Sequence, residues 1–151
     1  MLLRLALITL LCAGGARADE TRQSIKPADL PQAVRETVNR QQAGGTLLRL
    51  EKFVREEIPI YEAEFSNGAA KKFVVIDADG KVLEIRQPVN LGEISKAAKA
   101  VIESSVGKGK LISLESVKTE AGIVASYQVQ FEVAGKKTLL RIRPDGSLAQ
   151  E

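Results

Sequence analysis

The sequence contains no histidine and no tryptophan, and its single cysteine is Cys12. Each absence removes a class of function. Without His or Cys, nucleophilic catalysis is reduced to Ser–Lys or carboxylate arrangements. Ser104, Ser105, Ser113 and Ser116 stand in no G-x-S-x-G or S-x-x-K context. Zinc and copper sites lose their usual imidazole and thiolate ligands. No run of basic residues interleaves with aromatics, so the electrostatic footprint of a nucleic-acid binder is missing. The composition therefore argues against an enzyme and implies no cofactor.

The first 18 residues read as an export signal. Arg4 supplies the positive n-region, Leu5 to Leu11 the apolar stretch, and Ala16-Arg17-Ala18 an A-x-A cleavage site. Cleavage after Ala18 leaves Asp19 as the new N-terminus. A bilayer-spanning helix needs about 20 apolar residues, more than this run supplies. Leu11 is too bulky for a lipoprotein signal at Cys12. Removal of the signal takes Cys12 with it, so the mature chain has no disulfide framework, which fits a bacterial periplasm or medium. It also removes Arg4 and Arg17, leaving 20 basic against 19 acidic residues where the whole chain has 22 against 19. The expected protein is periplasmic or secreted, with no stable membrane insertion once processed, and a monomer or weak dimer.

What remains is organised as a repeat. At an offset of 64, Leu30, Ala33, Val38, Gly45, Leu47, Leu50 and Glu51 fall on Ile94, Ala97, Ile102, Gly109, Leu111, Leu114 and Glu115. At an offset of 66, Tyr61, Phe65, Ile76, Asp79 and Gly80 fall on Tyr127, Phe131, Ile142, Asp145 and Gly146. The slip of two is a longer hairpin loop around Glu120 to Gly122. This periodicity divides the chain into a signal (1–18), a flexible leader (19–28), a first copy (29–87), a linker (88–91) and a second copy (92–151).

Each copy opens with a helix. Asp29-Leu30-Pro31-Gln32 has the pattern of a capping box, and Leu30, Val34 and Val38 recur at helical spacing until Gly44-Gly45. Ile94, Ala98, Val101 and Ile102 repeat the pattern up to Gly107. Period-two alternation follows, with Tyr61, Ala63 and Phe65 against Glu62 and Glu64, and Tyr127, Val129 and Phe131 against Gln128 and Gln130. Such alternation marks half-buried antiparallel strands. Asp77-Ala78-Asp79-Gly80 and Arg143-Pro144-Asp145-Gly146 read as turns, with Val82 to Ile85 and Ser147 to Gln150 as returning strands. The fold class is α+β: in each copy a helix packs on a three- or four-stranded antiparallel sheet, and the two sheets can join into one.

Two acidic motifs suggest chemistry. Asp77-x-Asp79-Gly80 begins like a calcium loop, but Val82 and Leu83 occupy ligand positions and no Glu stands at the twelfth. Glu62 and Glu64 share one strand face about 7 Å apart, a spacing open to a cation. The plainer reading is a hairpin turn and a solvated strand face. The strand phases also gather an outer face away from the helices. It carries Leu47, Arg49, Phe53, Glu62, Glu64, Phe73 and Val75, with Gln128, Gln130 and Arg141 among the second-copy residues. An apolar patch rimmed by charge is the pattern of a protein-binding surface.

The ending Phe73-Val-Val-Ile-Asp-Ala-Asp-Gly-Lys-Val-Leu-Glu84, the Leu30-Pro-x-Ala-Val34 helix start and the Tyr61 to Phe65 strand resemble PepSY-like domains. Leu139 to Gly146 repeats the ending in weaker form. Such domains are similar in fold to the tandem repeats of beta-lactamase inhibitor protein, whose joined sheets offer a concave face to an enzyme. PepSY domains also occur in protease propeptides. The resemblance implies an exported, non-enzymatic binding protein that acts on a peptidase or another envelope enzyme. The alternative is a periplasmic small-ligand or cation sensor using the carboxylates near Glu62, Glu64 and Asp77.

Overall fold

The computed structural model describes residues 21–149. The export signal and the cleavage site at Ala18 and Asp19 lie outside the described residues. The elements in chain order are β1 (Gln23–Ser24), a 3-10 turn (Pro27–Asp29), α1 (Gln32–Gln42), β2 (Thr46–Arg55), β3 (Ile58–Asn67), β4 (Ala70–Asp77), β5 (Val82–Pro88), α2 (Lys96–Val106), β6 (Lys110–Lys118), β7 (Val124–Val133) and β8 (Lys136–Ile142). The strands form one open antiparallel sheet whose spatial order is the chain order, β1 to β8. The fold is thus α+β, with the two expected sheets realised as one.

Both helices lie on the same face of that sheet, α1 against β3 and β4, and α2 against β7. Under α1, Val34 and Val38 pack with Leu50, Tyr61, Phe65, Val74 and Ile76. Under α2, Ala98 and Ile102 pack with Leu114, Tyr127, Val129, Phe131 and Ile142. Burying each large apolar side chain contributes about 1.5–3 kcal/mol. In both places a hydroxyl ties the helix to an Asp-Gly turn. Thr37 Oγ1 donates to Gly80 O at 2.6 Å, and Ser95 Oγ donates to Pro144 O at 2.6 Å. Gly80 is required at its turn: its φ is +83°, and an added Cβ would lie 2.6 Å from Ala33 O.

Several expectations are corrected. The capping box at Asp29 does not form. Asp29 belongs to the 3-10 turn, and α1 begins at Gln32 after an extended Pro31 with no side-chain cap. A residue before proline is pushed to extended backbone, and Leu30 (φ −73°, ψ 144°) holds the helix off until Pro31 is passed. Residues 19–28, read as a flexible leader, include β1: Gln23 and Ser24 pair with Lys52 and Glu51. The linker at 88–91 begins inside the sheet, because Pro88 pairs with Glu115 and Val89 N donates to Leu114 O at 3.1 Å. Ser147 to Gln150 form no full strand within the described residues. Leu148 makes a single bridge to Ile142, and Ala149 N donates to Arg141 O at 2.9 Å.

Candidate functional site

The face opposite the helices carries an ion-pair network seated on a small apolar cluster. Phe53, Ile60 and Val75 are buried together there, as the alternation of β2, β3 and β4 requires. Arg22, just before β1, lies over the Phe53 ring at 4.6 Å. Its Nη1 donates to Glu51 Oε2 at 3.1 Å and to Glu62 Oε1 at 2.9 Å. Arg49 reaches Glu51 Oε1 at 3.3 Å and Glu64 Oε2 at 3.1 Å, and Lys71 Nζ reaches Glu64 Oε1 at 2.8 Å.

The network continues across the sheet. Arg86 on β5 donates to Glu62 and lies 3.4 Å from Glu84 and 3.8 Å from Glu115. The Arg86 Nε–Glu84 contact is an ion pair without hydrogen-bond geometry, so that buried Nε has no hydrogen-bond partner. Arg141 on β8 forks onto Glu84 and also donates to Gln128. Gln128 in turn donates to Glu115 at 3.4 Å.

Glu62 and Glu64 are therefore buried, at 5% and 8% exposure, where a solvated strand face was expected. The cations above them replace solvent. The hydrogen bond from Lys71 pulls the Glu64 carboxyl below its usual range, helped by the Arg49 charge and opposed by burial. Burial raises the Glu115 carboxyl, and the Arg86 charge only partly offsets it. Burial alone would lower the Arg22 guanidinium, but the Glu62 charge and the hydrogen bonds to Glu51 and Glu62 leave it raised.

The outer face brings together Arg49, Phe53, Glu62, Glu64, Phe73 and Val75 from the first half, with Gln128, Gln130 and Arg141 from the second. Phe73 sits under the Arg86 guanidinium at 5.5 Å. Leu47 does not belong there. It pairs with Phe65 and packs into the α1 core, while Arg49 pairs with Glu64. The skipped residue, Leu48, is a bulge and 51% exposed, and one extra residue reverses the phase of everything before it. On β6, too, a bulge precedes Ser113, and Leu111 before it packs into the α2 core. Sequence reasoning missed Arg22, Lys71, Glu84, Arg86 and Glu115. The phase of Glu84 and Arg86 was readable from Phe73 and Val75, but their pairing across β5 and β6 was not.

Asp77 does not act as a free ligand: its Oδ1 accepts from Asp79 N at 3.0 Å and Lys81 N at 2.9 Å, an Asx-type turn. No group of three or more His, Cys, Asp or Glu is placed to hold a metal ion among the described residues. No helix among them is long and apolar enough to cross a membrane.

Two helices on one face of a single open antiparallel sheet define a BLIP-like fold, and solved structures share it. A BLIP-like protein from Bacteroides fragilis superposes with a TM-score of 0.57 at 18% identity, covering 80% of this chain and 84% of that one. A DUF2874 family protein from Bacteroides ovatus gives 0.59 at 14% identity, covering 80% and 85%. A provisionally periplasmic protein from Bacteroides eggerthii gives 0.63 at 12% identity, covering 80% and 86%. No protein-family model and no curated protein matches the sequence.

Proposed function

We propose that this chain is an exported, non-enzymatic binding protein, built from two PepSY-like copies, that docks its outer sheet face onto a protein partner and modulates an envelope enzyme such as a peptidase. The observation that carries the reading is the placement of both helices on one face, which among the described residues leaves the opposite face of the joined sheet free of any helix. That face mixes apolar seats at Phe73 and Leu139 with partly exposed charge, as a docking surface does. The BLIP-like and provisionally periplasmic neighbours support a protein-binding role outside the cytoplasm, and the A-x-A pattern at Ala16 to Ala18 supports export.

The cation-sensor alternative fits the geometry less well. Glu62 and Glu64 are each engaged by two cationic side chains, which an incoming metal ion would have to displace. A calorimetric response to calcium would restore it.

Immobilised residues 19–151 exposed to a periplasmic extract provide the test. A saturable protein partner is expected, and it should be lost with Ser113→Arg or Phe73→Asp on the outer face but kept with Glu36→Ala on α1. No saturable partner, together with no effect on envelope proteases, overturns the reading. A Phe73→Asp protein that loses thermal stability yet keeps the partner assigns that ring to packing alone.

A further inference from the structure

The exposed charge over the first half of the outer face is of one sign. Arg22, Glu51, Arg49, Glu64 and Lys71 form an unbroken chain of alternating charge, but the two signs lie at different depths. The cationic side chains are 38%, 49% and 54% exposed at Arg22, Arg49 and Lys71, against 14% at Glu51 and 10% at Glu64. Each of these carboxylates already accepts from two cations. Arg22, by contrast, spends only Nη1 on its ion pairs among the described residues, and a guanidinium carries five N–H donors. The strip therefore presents donors outward over acceptors that are already used. In the second half the arrangement differs: the Arg141 side chain is only 19% exposed, and neutral Gln128 and Gln130 stand where Glu62 and Glu64 would be.

Resting on the docking reading above, we propose that this strip receives an acidic protein segment in extended conformation, whose carboxylates engage Arg22, Arg49 and Lys71. Arg22 stands just ahead of β1, Arg49 on β2 and Lys71 on β4, so the strip runs across the strands and a segment that meets all three crosses the sheet. Bidentate guanidinium–carboxylate pairing suits such discrete contacts. A dense polyanion such as nucleic acid or an anionic membrane fits poorly. The interleaved carboxylates cancel the net field that binding a polyanion draws on, and no aromatic ring stands exposed for stacking.

The test uses a fluorescent peptide alternating glutamate and threonine, a lysine–threonine counterpart, and phosphatidylglycerol vesicles. Saturable binding of the glutamate peptide is expected, weakening as salt rises. The triple variant Arg49→Gln/Glu64→Gln/Lys71→Gln removes two of the three exposed charges without leaving Glu64 as an unpaired buried carboxylate, and it should weaken binding by about tenfold. Arg49→Gln alone should weaken it about threefold, which keeps the test open if the triple variant folds poorly. Lys99→Gln on α2 should change nothing. No binding, equal binding of the lysine peptide, affinity indifferent to Arg49→Gln, or vesicle binding that depends on the same residues each overturns the proposal. A captured protein partner lost with Ser113→Arg but indifferent to salt and to the triple variant overturns the acidic segment and leaves the docking reading standing.

Discussion

Arg141 on β8 grips Glu84 on β5 over two intervening strands, with Nη1 3.0 Å from Oε2 and Nη2 3.2 Å from Oε1. This fork, with Arg86 reaching Glu62, links β3, β5 and β8 on the face opposite α1 and α2. Both side chains are mostly buried, so the pair is shielded from salt and geometrically fixed. Arg141→Gln and Glu84→Gln should each lower unfolding free energy by about 1–3 kcal/mol in urea titrations. The double variant should cost clearly less than the sum. Strict additivity would show that the two residues act independently.

Glu64 and Glu115 give opposite pH signatures. The folded-state pKa of Glu64 is lowered, so its contribution is present above the unfolded carboxylate range and is lost as pH falls through the folded value. The Glu115 value is raised, chiefly by burial, so its ionisation costs stability that is regained as pH falls through the folded value toward the unfolded one. Glu64→Gln should thus destabilise at neutral pH and converge on wild type in acid. Glu115→Gln should stabilise at neutral pH, and its advantage should fade on acidification. Denaturant midpoints across the acid range would reveal both, and parallel curves for either variant would refute its assignment.

The β2–β3 hairpin turns on Glu56-Glu57, both with positive φ (50° and 66°). A two-residue turn of this kind favours Asn-Gly, because side chains with a Cβ are strained there. Replacing the pair by Asn-Gly should raise stability by about 1 kcal/mol and leave the outer-face network intact. Thermal unfolding would check it, and a neutral or negative effect would point to an interaction made by the two carboxylates.

Phe53 and Leu48 separate what the sequence made legible from what it concealed. Alternation along β2 placed Phe53 on the outer face correctly, and the Asp-Gly turns and the end of α2 at Gly107 were equally readable. By contrast, α1 ends one residue before its glycines, on Ala43 in left-handed conformation. Leu47 was assigned to the outer face because the bulge at Leu48 carries no local composition signal, and one inserted residue swaps the faces. Glu62 and Glu64 were read as solvated because polarity alternates with burial only when water, not Arg22, Arg49 or Lys71, lies above the strand. Pro88 looked like a break, yet a proline at the end of a strand removes one donor and leaves its carbonyl to pair. Phe53→Ala should accordingly cost about 3–5 kcal/mol, and Leu48→Ala no more than about 0.5 kcal/mol. Comparable losses at the two positions would mean the bulge is misplaced.

The agreement between strand order in space and order in the chain has a consequence for how the molecule is made. Every strand from β2 onward is laid against the one that precedes it, so each finds a pairing partner already made. The two longest intervals between paired strands are equal and each contains a helix: Ser24 to Thr46 around α1, and Pro88 to Lys110 around α2. Large antiparallel sheets are slow to assemble when distant strands must meet. This one can grow by accretion from its first hairpin, each new strand covering the edge left exposed by the last.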